Sequence, residues 1–272
     1  MYSGTTFNKT SGRFLGAHQK IDRIAVKQLQ DILPSNLMFP NIKEILHFEG
    51  HNGPDAVKRK SPAKDEPWHY FMPYDNSDKG IIDIIESHYN RLVQSLKQND
   101  EVRSAFEAAW LAHAIVDGLT PAHHFPYGQK IIELRGGQSL DSRSTIKDKL
   151  IFPGTTAWRF LLNNWRFWGP KGLMMTHIAF EMGIATMIKP LSYSKDKCLG
   201  SDLFIVNSKN LGSWYRKTAQ MVVDLDLYNR FYDKGWTTAI ASDIKDQLLP
   251  LIIRTVVLVW YGAAMEADKT NS

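Results

Sequence analysis

One helix constrains this chain more than any other feature. Val102, Phe106, Ala109, Trp110, His113 and Val116 recur at helical spacing, so they share one face of a helix that Asn99 or Asp100 caps. That apolar face carries His113, and Asp117 follows four residues later, about 6 Å further along the same side. Gly118 and Pro121 predict the stop, through left-handed capping and through proline's inability to continue a helix. The chain then returns His123 and His124 to the same end. Ionisable side chains on an inward face need partners, because an uncompensated buried charge is very costly. On this stretch alone two readings stand level. One is a metal centre built from His113, Asp117 and His123. The other is a buried histidine, a helix-terminal aspartate and two loop histidines.

The remaining periodicity is also helical. Residues 16–33 place Ile21, Ile24, Ala25, Leu29 and Ile32 on one side, with His18 in the first turn and Pro34 just beyond the end. Residues 41–48 predict a short helix. Residues 77–97 predict a strong one, with His88 beside its apolar side and assigned to packing or surface. Residues 172–189 carry His177 and Glu181 four apart, crowded by Met174, Ile178, Met182 and Ile184, so the pair is expected to be partly buried. Residues 208–231 and 237–265 complete the set, the second kinked or broken at Pro250. No alternating run, internal repeat, Gly-rich phosphate loop or nucleophile elbow is present. The expected class is all-α, a single-domain helical bundle over residues 16–268 behind a flexible segment at 1–15.

Two irregular stretches interrupt this pattern. Residues 34–78 contain Asp55, a basic run at Lys58, Arg59 and Lys60 read as a solvated face, and His69 among Trp68, Tyr70 and Phe71. Residues 124–172 hold an aromatic helix with Trp158, Trp165 and Trp168. Aromatic stripes at helical spacing are usually packing, so this segment reads as a core helix with Arg159 and Arg166 exposed. A membrane-surface helix, or a lid over a site, is the alternative.

Composition narrows the chemistry. Of 272 residues 43% are apolar and 22% charged, enough for a substantial core. The net charge of +5 favours an anionic substrate or surface without specifying nucleic acid. Cys198 is the single cysteine, which excludes an intrachain disulfide and a cysteine-bound zinc cluster. Any metal must rest on His, Asp and Glu. Residues 248–264 are the most apolar segment, broken by Pro250 and Arg254, and read as a buried helix. The first seventeen residues hold no apolar run of leader length. The chain as given therefore reads as cytoplasmic, and a secreted form whose leader had been removed would read the same.

Taken in order, His18 on a first helix, Asp55 and His69 fourteen apart, His113-x3-Asp117-x5-His123 and His177-x3-Glu181 resemble the zinc-dependent phospholipase C family. The single-strand-specific zinc nucleases share that family's all-helical fold. The resemblance runs from about residue 16 to residue 185. It implies that Asp55, His69, His113 and Asp117 hold one zinc ion. Asp117 would bridge to a second ion that also takes His18, and His123, His177 and Glu181 would hold a third. It implies hydrolysis of phosphodiesters, with metal-activated water attacking phosphorus in line and Asp55 as both ligand and proton acceptor. Glu181, rather than an aspartate, leans to the phospholipase side. A phospholipid or other phosphodiester substrate and peripheral membrane contact follow from that side, and nucleic acid from the nuclease side. A metal-binding protein without catalysis is a third reading.

Two departures stand out. The family's exported members use the amine and carbonyl of a mature N-terminal tryptophan to complete the site of the first-helix histidine. Residues 1–17 contain no tryptophan, so two or three zinc ions are expected. The 53 residues between His123 and His177 are also longer than is typical, which makes 124–172 a candidate lid insertion.

Overall fold

The computed structural model describes residues 1–2, 16–50, 52–55, 70–143, 145–194 and 206–269, and among them every regular element is a helix or helical turn. Helix α1 spans Ala17–Gln30, α2 Ile42–Glu49, α3 Gly80–Lys97 and α4 Glu101–Gly118. Asp100 caps α4 by accepting from the Arg103 amide at 2.9 Å. Asn99 just before it takes φ 54°, a left-handed conformation that asparagine tolerates better than most residues.

Helix α4 is the axis of the fold. Ala105, Ala108, Ala109, Ala112 and Ala114 are buried and small, so neighbouring helices approach it from several sides. Helix α3 runs back along it, and α1 and α2 pack across it. The long C-terminal helix α12, Leu249–Asp268, also packs on α4, and its Trp260 indole N–H donates to the Ala108 carbonyl at 3.1 Å. The stretch Thr238–Asp268 is long and apolar enough to cross a membrane, but 78% of its apolar window is buried in the protein. It is the buried helix expected from composition. Because α4 is enclosed, His113 and Asp117 are carried into a nearly dry interior.

Several expected boundaries shift for local reasons. Gly118 does not turn left-handed, since the positive-φ glycines among the described residues are Gly136, Gly137 and Gly235. It stays helical, and its missing side chain makes room for the Tyr215 hydroxyl, which donates to the Ile115 carbonyl at 3.1 Å. Pro121 then opens a 3₁₀ turn, Pro121–His124. The expected helix over 208–231 is two, α9 Leu211–Asp224 and α10 Leu227–Lys234, divided where Asp226 takes φ 51°. Just ahead of the break expected at Pro250 lies a wide π turn, Ile244–Leu248, between α11 at Thr238–Asp243 and α12. The lead-in is not loose at its start: Met1 is buried, and the Tyr2 carbonyl accepts from the Ala17 amide at 2.9 Å.

The 124–172 region builds a satellite of its own. Helices α5 Tyr127–Leu134, α6 Ile146–Leu150 and α7 Ala157–Trp168 precede α8, Leu173–Ile188. A small apolar cluster of Tyr127, Ile131, Phe152, Phe167 and Leu173 joins them, apart from the main core. Helix α7 is not the core helix expected. Phe167 is its only buried residue, and Trp158 and Trp165 are exposed along with Arg159 and Arg166.

Candidate metal centre

The buried end of α4 gathers side chains from five parts of the chain. Helix α1 delivers His18, whose ring stacks on His113 with centroids 4.2 Å apart. Asp117 spans the Nε2 edges of the two rings. Its Oδ1 is 3.3 Å from His18 Nε2 and its Oδ2 is 3.3 Å from His113 Nε2. Asp55, in the helical turn that opens at Pro54, places Oδ1 3.6 Å from the same His113 nitrogen. His69 lies outside the described residues, as do Lys58, Arg59, Lys60 and Trp68.

A second set stands beside the first. The 3₁₀ turn points His123 back towards α4, where its Nδ1–H donates to the Asp117 carbonyl at 2.9 Å. That bond leaves Nε2 facing Glu181 Oε1 at 2.9 Å, and His177 Nε2 meets the same oxygen at 3.2 Å. The two rings stack with centroids 5.4 Å apart. His177 and Glu181 come from one face of α8 and are partly buried, as their surroundings in sequence predict.

Both sets are chemically suited to a cation. Ring nitrogens and carboxylate oxygens are both electron-rich, and bringing them together away from water is repulsive unless a proton or a metal lies between them. His113 donates from Nδ1 to Glu49 at 3.0 Å, which leaves its Nε2 facing Asp55 and Asp117. Burial lowers the basicity of His113, but Glu49, Asp117 and Asp55 overcome this and raise its pKa well above the usual histidine value. The carboxylates move the other way. Burial opposes ionisation of Asp117 and Glu181, but the Met1 ammonium and the neighbouring histidines hold both well below the ordinary range. Asp55 is likewise resisted by burial and favoured by His113, which brings it down to about 2. Its side chain is 26% exposed, the most open of the described first set.

Three contributors escaped the sequence reading. Met1 is one. Its ammonium donates to Asp117 Oδ1 at 2.8 Å and Thr120 Oγ1 at 3.1 Å and stands 3.6 Å from Glu181, while its carbonyl accepts from His18 Nε2 at 2.7 Å. No local signal in a polar lead-in marks this. Glu49 is the second, within reach of both His113 and His18 Nδ1, the latter at 3.6 Å. It follows buried Ile45 by four residues, so the helical period of α2 already turned it inward. Asp22 is the third. His18-x3-Asp22 repeats the spacing of the other two His–carboxylate pairs. Its oxygens make no hydrogen bond among the described residues, and burial followed by the charge of Glu49 raises its pKa well above the usual range.

Two other histidines are accounted for outside the centre. His124 Nε2–H donates to the Gly118 carbonyl at 2.8 Å and so closes the end of α4. His88 is not merely packing: its Nδ1 pairs with buried Glu107 at 2.5 Å, and Arg103 pairs with the same carboxylate.

No protein-family model matches this chain, and no curated protein or solved structure matches it.

Proposed function

We propose that this protein is a zinc-dependent phosphodiester hydrolase of the phospholipase C type. The observation that carries the proposal is Asp117, a buried carboxylate with one oxygen towards each of two histidine rings, beside a separate set made by His123, His177 and Glu181. A purely structural site would need fewer ligands than this. His18, Asp55, His113 and Asp117, with His69, would hold two ions, and His123, His177 and Glu181 a third. When bound, such ions neutralise a phosphodiester's charge and make water acidic enough to ionise near neutral pH.

The chain's own groups have definite parts. Glu49 holds His113 with Nε2 directed at the centre, and the Asp117 carbonyl does the same for His123. Asp55 is ionised at neutral pH and is the most open of these carboxylates, so it would serve as a metal ligand facing an incoming water; held at about 2, it is too weak a base to take that water's proton unaided. The Met1 amine and carbonyl lie beside Asp117 and His18.

The test is metal analysis of purified protein, followed by assays on phosphatidylcholine, single-stranded nucleic acid and an aryl phosphodiester. Two or three zinc ions per chain with lipid turnover support the proposal. Turnover of nucleic acid alone would move the assignment to the nuclease side. Bound zinc with no turnover of any of the three would leave a non-catalytic metal protein.

A further inference from the structure

We propose that helix α7 is an interfacial anchor that docks the protein on an anionic lipid bilayer. The helix turns its large apolar side chains outward. Trp158 is 72% exposed, Leu161 60% and Trp165 66%, whereas Phe167 is 1% exposed. At about 100° per residue the three exposed side chains fall within a sector of about 60°, and Phe167 lies on the opposite side. Asn163 and Asn164 tie the inner side down, donating to the carbonyls of Pro153 and Phe152 at 2.7 and 2.8 Å. The apolar sector is thus held outward by the packing beneath it.

The patch continues off the helix. The Trp168 indole N–H donates to the Leu150 carbonyl at 2.7 Å, and Leu150 and Ile151 are exposed beside it. Tryptophan seeks the boundary between headgroups and acyl chains, because its ring is apolar and its N–H is polar. Twelve residues of helix are about 18 Å long, suited to lying in the interface and too short to span it.

Charge selects the partner. Arg159 and Arg166 share one flank of the helix, about 80–100° round from Trp158. With Lys130, Arg135 and Lys171 they line a cleft of about 820 Å³, where Glu133 is the single acid among the described lining residues. An apolar face with indoles, flanked by cations, complements a bilayer carrying acidic headgroups. Helix α7 packs on α8, the helix bearing His177 and Glu181, so docking would bring that helix close to the lipid. The docking itself does not require the hydrolase assignment.

Co-sedimentation tests it, with vesicles of phosphatidylcholine alone and of equal parts phosphatidylcholine and phosphatidylserine. The variants are Trp158→Ser with Trp165→Ser, and Arg159→Glu with Arg166→Glu. Circular dichroism and turnover of a soluble aryl phosphodiester are read alongside. The wild type should partition onto the mixed vesicles more strongly than onto phosphatidylcholine. Each double variant should lose at least about tenfold in partitioning with an unchanged spectrum. No partitioning by the wild type, or equal partitioning by the variants, overturns the proposal. So does a wild-type dimer that the tryptophan variant dissociates, because a second copy then covers the face. Soluble turnover without vesicle binding removes the anchor and leaves the hydrolase. Vesicle binding without turnover does the reverse.

Discussion

Asp117 shows why the centre is sensitive to single atoms. Both of its oxygens and its backbone carbonyl are in use, towards His18, His113 and His123. Asp117→Asn keeps the shape and removes the charge, so purified variant protein should carry at least one zinc ion fewer by elemental analysis and turn over no phosphodiester. Full zinc content in that variant would sink the assignment. Glu49 acts one step further out. Glu49→Gln still accepts from His113 but without charge, and zinc affinity by competition with a chelator should fall about 10- to 100-fold. His124 yields a pH prediction. Burial brings its pKa down to about 4. Between that value and an unfolded value of about 6.5, the unfolded chain binds a proton that the folded chain refuses. Its stabilisation is therefore complete above about 6.5 and lost as pH falls towards about 4, a change of about 3 kcal/mol. Denaturant titrations across that window should be flatter for His124→Asn than for the wild type.

At the scale of elements, the closest fit at the centre is between α4 and α9. A methyl group at Gly118 would collide with the Tyr215 hydroxyl. Gly118→Ala should cost about 1–3 kcal/mol of unfolding free energy in urea. The cost should shrink in a Tyr215→Phe background, which removes the hydroxyl but keeps the ring. Equal costs in both backgrounds would show that the hydroxyl is not the obstacle. The pair also gives Gly118, the last residue of α4, a reason to be glycine other than the left-handed conformation its residue type suggests. A glycine can be required for the space it leaves to a distant neighbour as well as for its own φ.

For the whole molecule, the centre couples folding to metal. Carboxylates and histidines from α1, α4, α8, the 3₁₀ turn and the helical turn at Asp55 converge in a largely buried region, so removing a bound ion leaves their electron-rich atoms facing one another. Exhaustive chelation should lower the thermal midpoint, and added zinc should restore it. A midpoint unmoved by verified metal removal would contradict the reading of this region as a metal centre.

Helical periods, breakers and ligand spacing were all legible in the chain, because each is a property of neighbours within a turn or two. They were enough for an all-helical class, for the inward side of α4, and for the return of His123 to the end of α4, although it joins the set of His177 and Glu181 and not that of His113. Spacing could not say which distant atoms would meet. Met1 reaches Asp117 across 116 residues, and only packing brings them together. The same holds for Glu49 beneath His113 and for Tyr215 over Gly118. Helix α7 marks the sharpest division. Its sequence establishes an amphipathic helix, since periodicity depends only on the 3.6-residue turn. Which face turns inward depends on what lies beneath, and there the satellite cluster takes Phe167 and leaves the tryptophans to the solvent.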